Sequence, residues 1–385
     1  MRRKNVFILG STGTIGINTL KVIERFPERF SVCGLTAYHN LELIEKQVKK
    51  FSPSYVAVGQ KGIGHLKGRL NRTGAKIFDV EHDLPHLVTQ KDVDVVVIGM
   101  SGSAALKPFF NAVKAGKTVT PANKEALVMA GDILMRSAKR YGAKIIPIDS
   151  EQSAIFQCLD GRNRDELSKV YLTASGGALY KISKSNFARL KVKQILKHPR
   201  WKMGKKITVD SATLMNKGFE IIEAKHLFGL DVNDIEVVVH PEAIIHSMVE
   251  FKDGSIIAQL GVTDMRLPIQ YALTYPERLK TNLKSVEFFK LKQLTFNKPD
   301  FHKFPCLGLS MFAGRKGGTL PTVLNAADEI VVQAFLTGKI SFLEIYQMIE
   351  KIVLKHKVQF NPSLEEILAA DQEAREETQR LIFNE

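Results

Sequence analysis

The sequence predicts an α/β chain in three parts, on three observations. Short apolar strands alternate with helical stretches through residue 149, strands and helices mix between 150 and 275, and helical periodicity runs from 306 to 385. Alternation of the first kind builds a parallel sheet whose crossovers are helices. The expected parts are an N-terminal Rossmann-like parallel sheet (1–149), a central α+β domain (150–275), a linker (276–305) and a C-terminal helical bundle (306–385).

The elements follow in order. The strand NVFIL meets GSTGTIG, Gly10 to Gly16, and then a helix through IGINTLKVIERF. FSVCGLTA, YVAVG and VDVVVIGM are further strands, and LELIEKQVKKF and ALKPFFNAVKAG further helices. TVTPAN, a helix from Glu125 through Arg140 and AKIIPID complete the first part. In the second, KVYLTAS, IEVVVH, SMVEF and SIIAQLG read as strands beside the helical SATLMNKGFEIIEAKHLF. Periodicity weakens from Pro276 to Pro305, and TVLNAADEIVVQAFLTG and FLEIYQMIEKIVLKH then carry helical spacing.

Composition narrows the class. With 385 residues, 44% hydrophobic and 25% charged, the chain has material for two or three domains and no signature of disorder. Cys33, Cys158 and Cys306 are odd in number and far apart, so a disulfide framework and a thiolate zinc site are both disfavoured. A reducing, cytoplasmic setting is expected, with no membrane partner, because no segment nears the roughly 18 apolar residues of a spanning helix. The apolar run in MRRKNVFILG is also too short for a secretory leader.

The net charge of +15 is the outlier. Ten Lys or Arg residues and no acid lie between Lys181 and Lys206, around the only tryptophan, Trp201. Nucleic acid, an anionic surface, a phosphorylated small substrate and a solvated basic face all fit such a run. No nucleic-acid module accompanies it, so nucleic acid is not the expected partner.

Several stretches bear chemistry, each with a plainer alternative. GSTGTIG is spaced G-x-x-G-x-x-G rather than G-x-G-x-x-G, yet it sits where a strand gives way to a helix. It suits either a phosphate-bearing nucleotide at a helix N-terminus or a tight turn packed on a sheet. The second strand ends in Thr36-Ala37-Tyr38-His39-Asn40, without the carboxylate that binds an NAD ribose. NADP is therefore preferred to NAD, with His39 facing the 2′-phosphate or lying on an ordinary loop. Asp149 and Glu151, two apart at a strand end, suit Mg²⁺ or Mn²⁺, while Asp149 or Ser150 also suits a helix N-cap.

Asn216, Lys217 and Glu220 share one helical face, as a further ligand with phosphate donors or as a simple Lys217–Glu220 salt bridge. Ser211 upstream adds another phosphate donor. LTASGG, Leu172 to Gly177, is an anion nest or a turn, and HPRWKMGKK, His198 to Lys206, a lid over a phosphorylated substrate or a surface loop.

GSTGTIG, ANKEALVMAG, PIDSEQSAIFQ, TASGG, HPRWKMGKKITVDSATLMNKGFE and HPEAIIHSMVEFKDGSIIAQLG together resemble the 1-deoxy-D-xylulose 5-phosphate reductoisomerase family. They stand in that family's order across nearly the whole chain, with LNAADEIVVQAFL in the tail. The resemblance implies NADPH- and metal-dependent rearrangement and reduction of 1-deoxy-D-xylulose 5-phosphate to 2-C-methyl-D-erythritol 4-phosphate, in non-mevalonate isoprenoid synthesis. It implies a homodimer, with Mg²⁺ or Mn²⁺ as the cation and Co²⁺ as a further candidate.

Carried over by position, the resemblance makes Asp149, Glu151 and Glu220 metal ligands. Ser175, Ser211, Asn216 and Lys217 become the substrate and phosphate site, closed by His198 in a lid spanning 195–205. Lys124 and Ser150 would face substrate hydroxyls, and Trp201 and Met203 would shield them. Gly10, Thr12, Gly13, Thr14, Ile15 and Gly16 form the cofactor turn, with His39 and Asn40 near its 2′ end. Asn123 and Glu125 fall on the nicotinamide side, and Gly204 is a cofactor contact from the lid.

The chain departs from that family's pattern in Tyr38-His39, Gln152, Arg200 and Ala178-Leu179. These bear on cofactor preference and lid motion. Three other readings remain at this point. A semialdehyde dehydrogenase needs a nucleophilic cysteine, and Cys158 lies in the apolar run IFQCL. A nucleic-acid binder leaves the carboxylates unused, and a nucleotide-binding protein without turnover leaves Glu151 without a role.

Overall fold

A run such as Val95–Ile98, four branched apolar residues with no polar alternation, can be a strand only where both faces are covered. The computed structural model, which describes residues 2–198, 200–201 and 203–383, meets that demand with a parallel sheet between helices. In chain order come β1 (Lys4–Leu9), α1 (Thr14–Arg25), β2 (Phe30–Ala37), α2 (Leu41–Phe51), β3 (Tyr55–Val58), α3 (Gln60–Leu70), β4 (Lys76–Asp79) and α4 (Leu84–Leu87). Then follow β5 (Val95–Ile98), α5 (Leu106–Lys114), β6 (Thr118–Pro121), α6 (Glu125–Tyr141) and β7 (Lys144–Ile145).

These strands form one sheet in the order β4-β3-β2-β1-β5-β6-β7, parallel throughout. The chain works outward from β1 to one edge and then from β5 to the other, so strand order reverses between β1 and β5. Ligands of doubly wound sheets bind beyond the strand ends at such a reversal. GSTGTIG sits there.

Two glycines of that turn answer to the protein itself. Gly10 has φ +78°, and a Cβ on it would lie 3.0 Å from the backbone of Gly99, which follows β5. A Cβ on Gly16 would lie 2.4 Å from Ser11 Cα and 2.5 Å from Gly10 O. Any side chain there pushes α1 off the turn.

The remaining elements are α7 (Ser150–Leu159), β8 (Leu167–Ala174), α8 (Val192–Ile195), α9 (Lys205–Thr213), α10 (Met215–Phe228), β9 (Ile235–Val239), β10 (Ile245–Phe251) and β11 (Ile256–Leu260). After them come α11 (Arg266–Thr274), α12 (Phe288–Leu291), α13 (Pro305–Lys316), α14 (Leu320–Leu336), α15 (Phe342–Lys355) and α16 (Leu364–Phe383). The second sheet runs β11-β10-β8-β9, with β8 and β9 parallel and β10 antiparallel to both β8 and β11. Helix α10 packs on β8 and α13, and α14 lies against α13, α15 and α16. Buried on nearly every side, α14 is the centre of the C-terminal helices.

The chain divides into two compact units. The first takes residues up to Ala126, Leu134–Ser153 and Asp264–Asn282; the second takes Leu127–Ile133, Ala154–Thr263 and the chain from Leu283. The return of 264–282 to the first unit has a local cause. Helix α11 packs on α1, Arg25 donates to Gln270 at 3.2 Å, and both terminal nitrogens of Arg29 grip the Glu277 carboxylate at 2.8 and 3.0 Å. Residues 276–305 hold α12 and a bridge from Asn297 to Val239 of β9. The parallel sheet, the mixed sheet and the C-terminal helices agree with the expected fold class. Among the described residues no helix is long and apolar enough to cross a membrane.

Gly16→Ala is expected to cost about 1–3 kcal/mol by overpacking. Gly64→Ala, in α3 with open space around its Cβ, is expected to gain about 0.5–1 kcal/mol. A urea midpoint of Gly16→Ala at or above that of the parent protein would contradict the close approach at Gly16.

Candidate functional site

In the first unit the site begins at the α1 N-terminus. Ser11 N donates to Thr36 O at 2.8 Å and Gly10 N to Thr36 Oγ1 at 2.8 Å, tying the turn to β2. Gln47 holds it from α2, donating to Ser11 O and accepting from Ser11 Oγ. Gly13 is the N-cap, with no side-chain cap and no acid in the first turn of α1. Thr12 and Ile15 are half-buried, and Gly13 and Thr14 exposed. Uncapped N–H groups at a helix start are an anion site.

The cofactor candidates divide by what their side chains already do. Asn123 uses both amide hydrogens, on Met100 O at 3.0 Å and Gly102 O at 3.1 Å, while its oxygen accepts from Ala126 N at 2.9 Å. It therefore fixes the loop after β5 against the start of α6. Glu125, buried, opens α6. Asn40 caps α2 by accepting from Leu43 N, and the exposed His39 ring packs edge-on against Tyr38.

Asp149 is held on two sides. One carboxylate oxygen accepts from the Lys124 ammonium at 2.8 Å, and the other from Glu151 N at 3.1 Å and Gln152 N at 3.3 Å. Asp149 is thus both an N-cap of α7 and half of a buried ion pair. Ser150 Oγ donates to the Glu151 carboxylate.

In the second unit β8 leads into Ser175-Gly176-Gly177, where both glycines have positive φ. A Cβ on Gly177 would lie 2.4 Å from Ser211 O, so this turn rests directly on α9. Ser175 and Ser211 are brought to one place. Ser175 Oγ is 3.2 Å from His198 Nε2. His198 Nδ1 accepts from Trp201 N at 2.8 Å and Arg200 N at 3.2 Å, so the ring proton belongs on Nε2 and points to Ser175. Burial pushes the His198 imidazole down to about 4 and keeps it neutral. Arg200 Nε donates to Pro241 O, and the Trp201 ring lies 6.4 Å from His246. Met203 is half-buried, and Gly204 is the exposed N-cap of α9. Pro199 and Lys202, within the expected lid 195–205, lie outside the described residues.

Helix α10 then presents Asn216, Lys217 and Glu220. The Lys217 ammonium and the Asn216 amide both donate to the Glu220 carboxylate. Lys217 and Glu220 are 4% and 1% exposed, so the salt bridge is a deeply buried one. Asn216 Oδ1 is buried and has no hydrogen-bond partner among the described residues.

One grouping escaped the sequence reading. Lys206, just after the expected lid, contacts Asp210 at 2.7 Å and Asp328 of α14 at 2.6 Å, both acids being buried. The Lys206–Asp210 spacing was visible as an i,i+4 pair, but Asp328 is distant in sequence. Cys158, the alternative nucleophile, is buried.

The matching family models agree with one another. Residues 6–131 match the model for 1-deoxy-D-xylulose 5-phosphate reductoisomerase, 145–228 its C-terminal domain, and 260–377 the DXP reductoisomerase C-terminal domain. The 1-deoxy-D-xylulose 5-phosphate reductoisomerase of Pelotomaculum thermopropionicum is 48% identical over 383 residues, 97% of each chain. That of Caldanaerobacter subterraneus subsp. tengcongensis is 48% identical over 98% of this chain and 99% of its own. Among solved structures, DOX-P reductoisomerase with NADPH, fosmidomycin and magnesium aligns at TM-score 0.95, with 37% identity and 98% of each chain covered. The Zymomonas mobilis 1-deoxy-D-xylulose 5-phosphate reductoisomerase with NADPH aligns at 0.93, with 38% identity and 99% of each covered.

The neutral His198 gives a pH signature. Its folded value of about 4 lies below the ordinary histidine value of about 6.5, so the stability it contributes is full above that range and falls as pH drops through it. His246 shares the direction and the cause. The urea midpoint of His198→Gln is therefore expected to fall less steeply than that of the parent protein between about pH 6.5 and 4. Equal slopes would place His198 in water.

Proposed function

This chain belongs to the 1-deoxy-D-xylulose 5-phosphate reductoisomerase family, and from that premise we infer an NADPH-dependent oxidoreductase acting on a phosphorylated sugar. We propose further that it rearranges and reduces 1-deoxy-D-xylulose 5-phosphate to 2-C-methyl-D-erythritol 4-phosphate, as a cytoplasmic homodimer supplying isoprenoid precursors by the non-mevalonate route. The observation that carries the substrate reading is the buried Lys217–Glu220 pair beside Asn216, whose buried Oδ1 has no partner among the described residues. A dry amide oxygen beside a dry ion pair suits a hydroxyl-bearing, charged ligand far better than an apolar core.

Asp149, Glu151 and Glu220 are the residues that would hold a divalent cation. All three offer hard oxygen donors of the kind Mg²⁺ and Mn²⁺ prefer, and a related structure contains magnesium. When bound, the cation supplies positive charge to oxygens that become anionic during the carbon shift. NADPH supplies the hydride. The chain's own groups do the rest. Ser175, Ser211, Asn216 and Lys217 bind the phosphate end, and His198 Nε2 donates a hydrogen bond there. Lys124 and Ser150 orient the substrate hydroxyls. Trp201 and Met203 exclude water while the reactive carbonyl forms. The uncapped N-terminus of α1 receives the cofactor pyrophosphate.

A semialdehyde dehydrogenase would need a reachable thiol, and Cys158 is only 3% exposed.

NADPH oxidation is expected only when 1-deoxy-D-xylulose 5-phosphate and Mg²⁺ or Mn²⁺ are both present, and a chelator should abolish it. Glu220→Gln should lower kcat at least about a hundredfold with the far-UV circular dichroism unchanged. Full turnover in chelator, or in that variant, would remove the three-carboxylate site. Trp201→Ala should raise KM for the sugar phosphate more than it lowers kcat.

A further inference from the structure

In a doubly wound sheet the ribose nearest the adenine lies at the end of the second strand, where an acid selects NAD and a cation selects NADP. Strand β2 ends at Ala37 with no acid of its own. Tyr38 follows, 54% exposed, and its ring crosses the turn from β3 into α3. A Cβ on Gly59 in that turn would lie 3.3 Å from Tyr38 O and 3.7 Å from Tyr38 Cζ. The phenol then donates to Glu81 Oε1 at 2.6 Å.

Glu81 belongs to the turn after β4, which lies two strands from β2 on the side away from β1. That turn is pinned from below. The buried Asp79 accepts from Glu81 N at 2.7 Å and His82 N at 3.3 Å, and Asp79 N donates to Asp83 at 2.9 Å. His39 packs on the other side of Tyr38, ring to ring at 4.6 Å. A carboxylate that β2 lacks is thus delivered by β4 and held on a tyrosine.

We infer that Glu81, held by Tyr38, is a specificity-determining residue that sets a fixed negative charge near the cofactor's 2′ position and narrows the preference for NADPH over NADH. The inference rests on the cofactor reading above. A phosphomonoester feels that charge and a ribose hydroxyl does not. For exposed groups several ångströms apart in water, the repulsion amounts to about three- to tenfold in affinity, and salt weakens it.

The test compares the parent protein with Glu81→Gln and Tyr38→Phe at low ionic strength. Calorimetry gives Kd for adenosine 2′,5′-bisphosphate and for adenosine 5′-monophosphate, which report the 2′ end without any turnover. Glu81→Gln is expected to shift the ratio about three- to tenfold toward the bisphosphate, and Tyr38→Phe to shift it in the same direction. The kcat/KM ratio for NADPH over NADH should rise in parallel, and the rise should shrink as salt is added. An unchanged Kd ratio in Glu81→Gln, or failure of the parent protein to bind either fragment, overturns the inference. A shifted Kd ratio in a protein that turns over no sugar phosphate would leave the inference standing and remove the substrate reading.

Discussion

A charge taken out of water must meet an opposite charge in the same place, and this demand organises the molecule. Lys124 is buried against Asp149, Lys217 against Glu220, and Lys206 against Asp210 and Asp328. In the C-terminal helices Arg375 joins Asp371 and Glu329. Stripping one partner from such a pair typically costs about 3–5 kcal/mol, because the other charge stays dry. The apolar elements are therefore obliged to hold these groups at fixed positions. In return, the side chains with the greatest chemical potential are ordered before any ligand arrives, which is the condition for electrostatic preorganisation.

Those ion pairs also reconcile readings that looked like rivals in the sequence. Asp149 caps a helix and pairs with a lysine; Lys217 and Glu220 do form a salt bridge. A lysine that neutralises a carboxylate keeps both charges dry and in place, so the structural role and the proposed ligand role fall on the same side chains.

What the sequence revealed follows from range. The strands of the first sheet were legible because a strand covered on both faces is a continuous apolar run, and Val95–Ile98 is nothing else. Gly16 was legible as part of a turn because its constraint is local, and so was the positive φ of Gly10, whereas the approach of Gly99 to Gly10 was not. The Asn216, Lys217 and Glu220 face followed from helical spacing alone. Lys124 with Asp149, Lys206 with Asp328 and Tyr38 with Glu81 were not legible, since each joins elements distant in sequence, the first and last through strand order and the second through the packing of α9 on α14. Gly13 shows the limit in the other direction. A Cβ there would come no closer than 3.4 Å to its neighbours, so nothing in the fold itself calls for glycine at that position. Only two of the three glycines are explained by packing.

The return of Asp264–Asn282 to the first unit bears on how the chain is made. The parallel sheet is complete once β7 has been synthesised, but α1 lacks its partner α11 until well over a hundred further residues have been added. At usual elongation rates that interval is on the order of ten seconds. During it β8 to β11 emerge and their sheet can assemble, while the apolar flank of α1 and the Arg25 and Arg29 side chains wait uncovered. The first unit to begin folding on the ribosome is thus one that cannot finish until α11 has emerged.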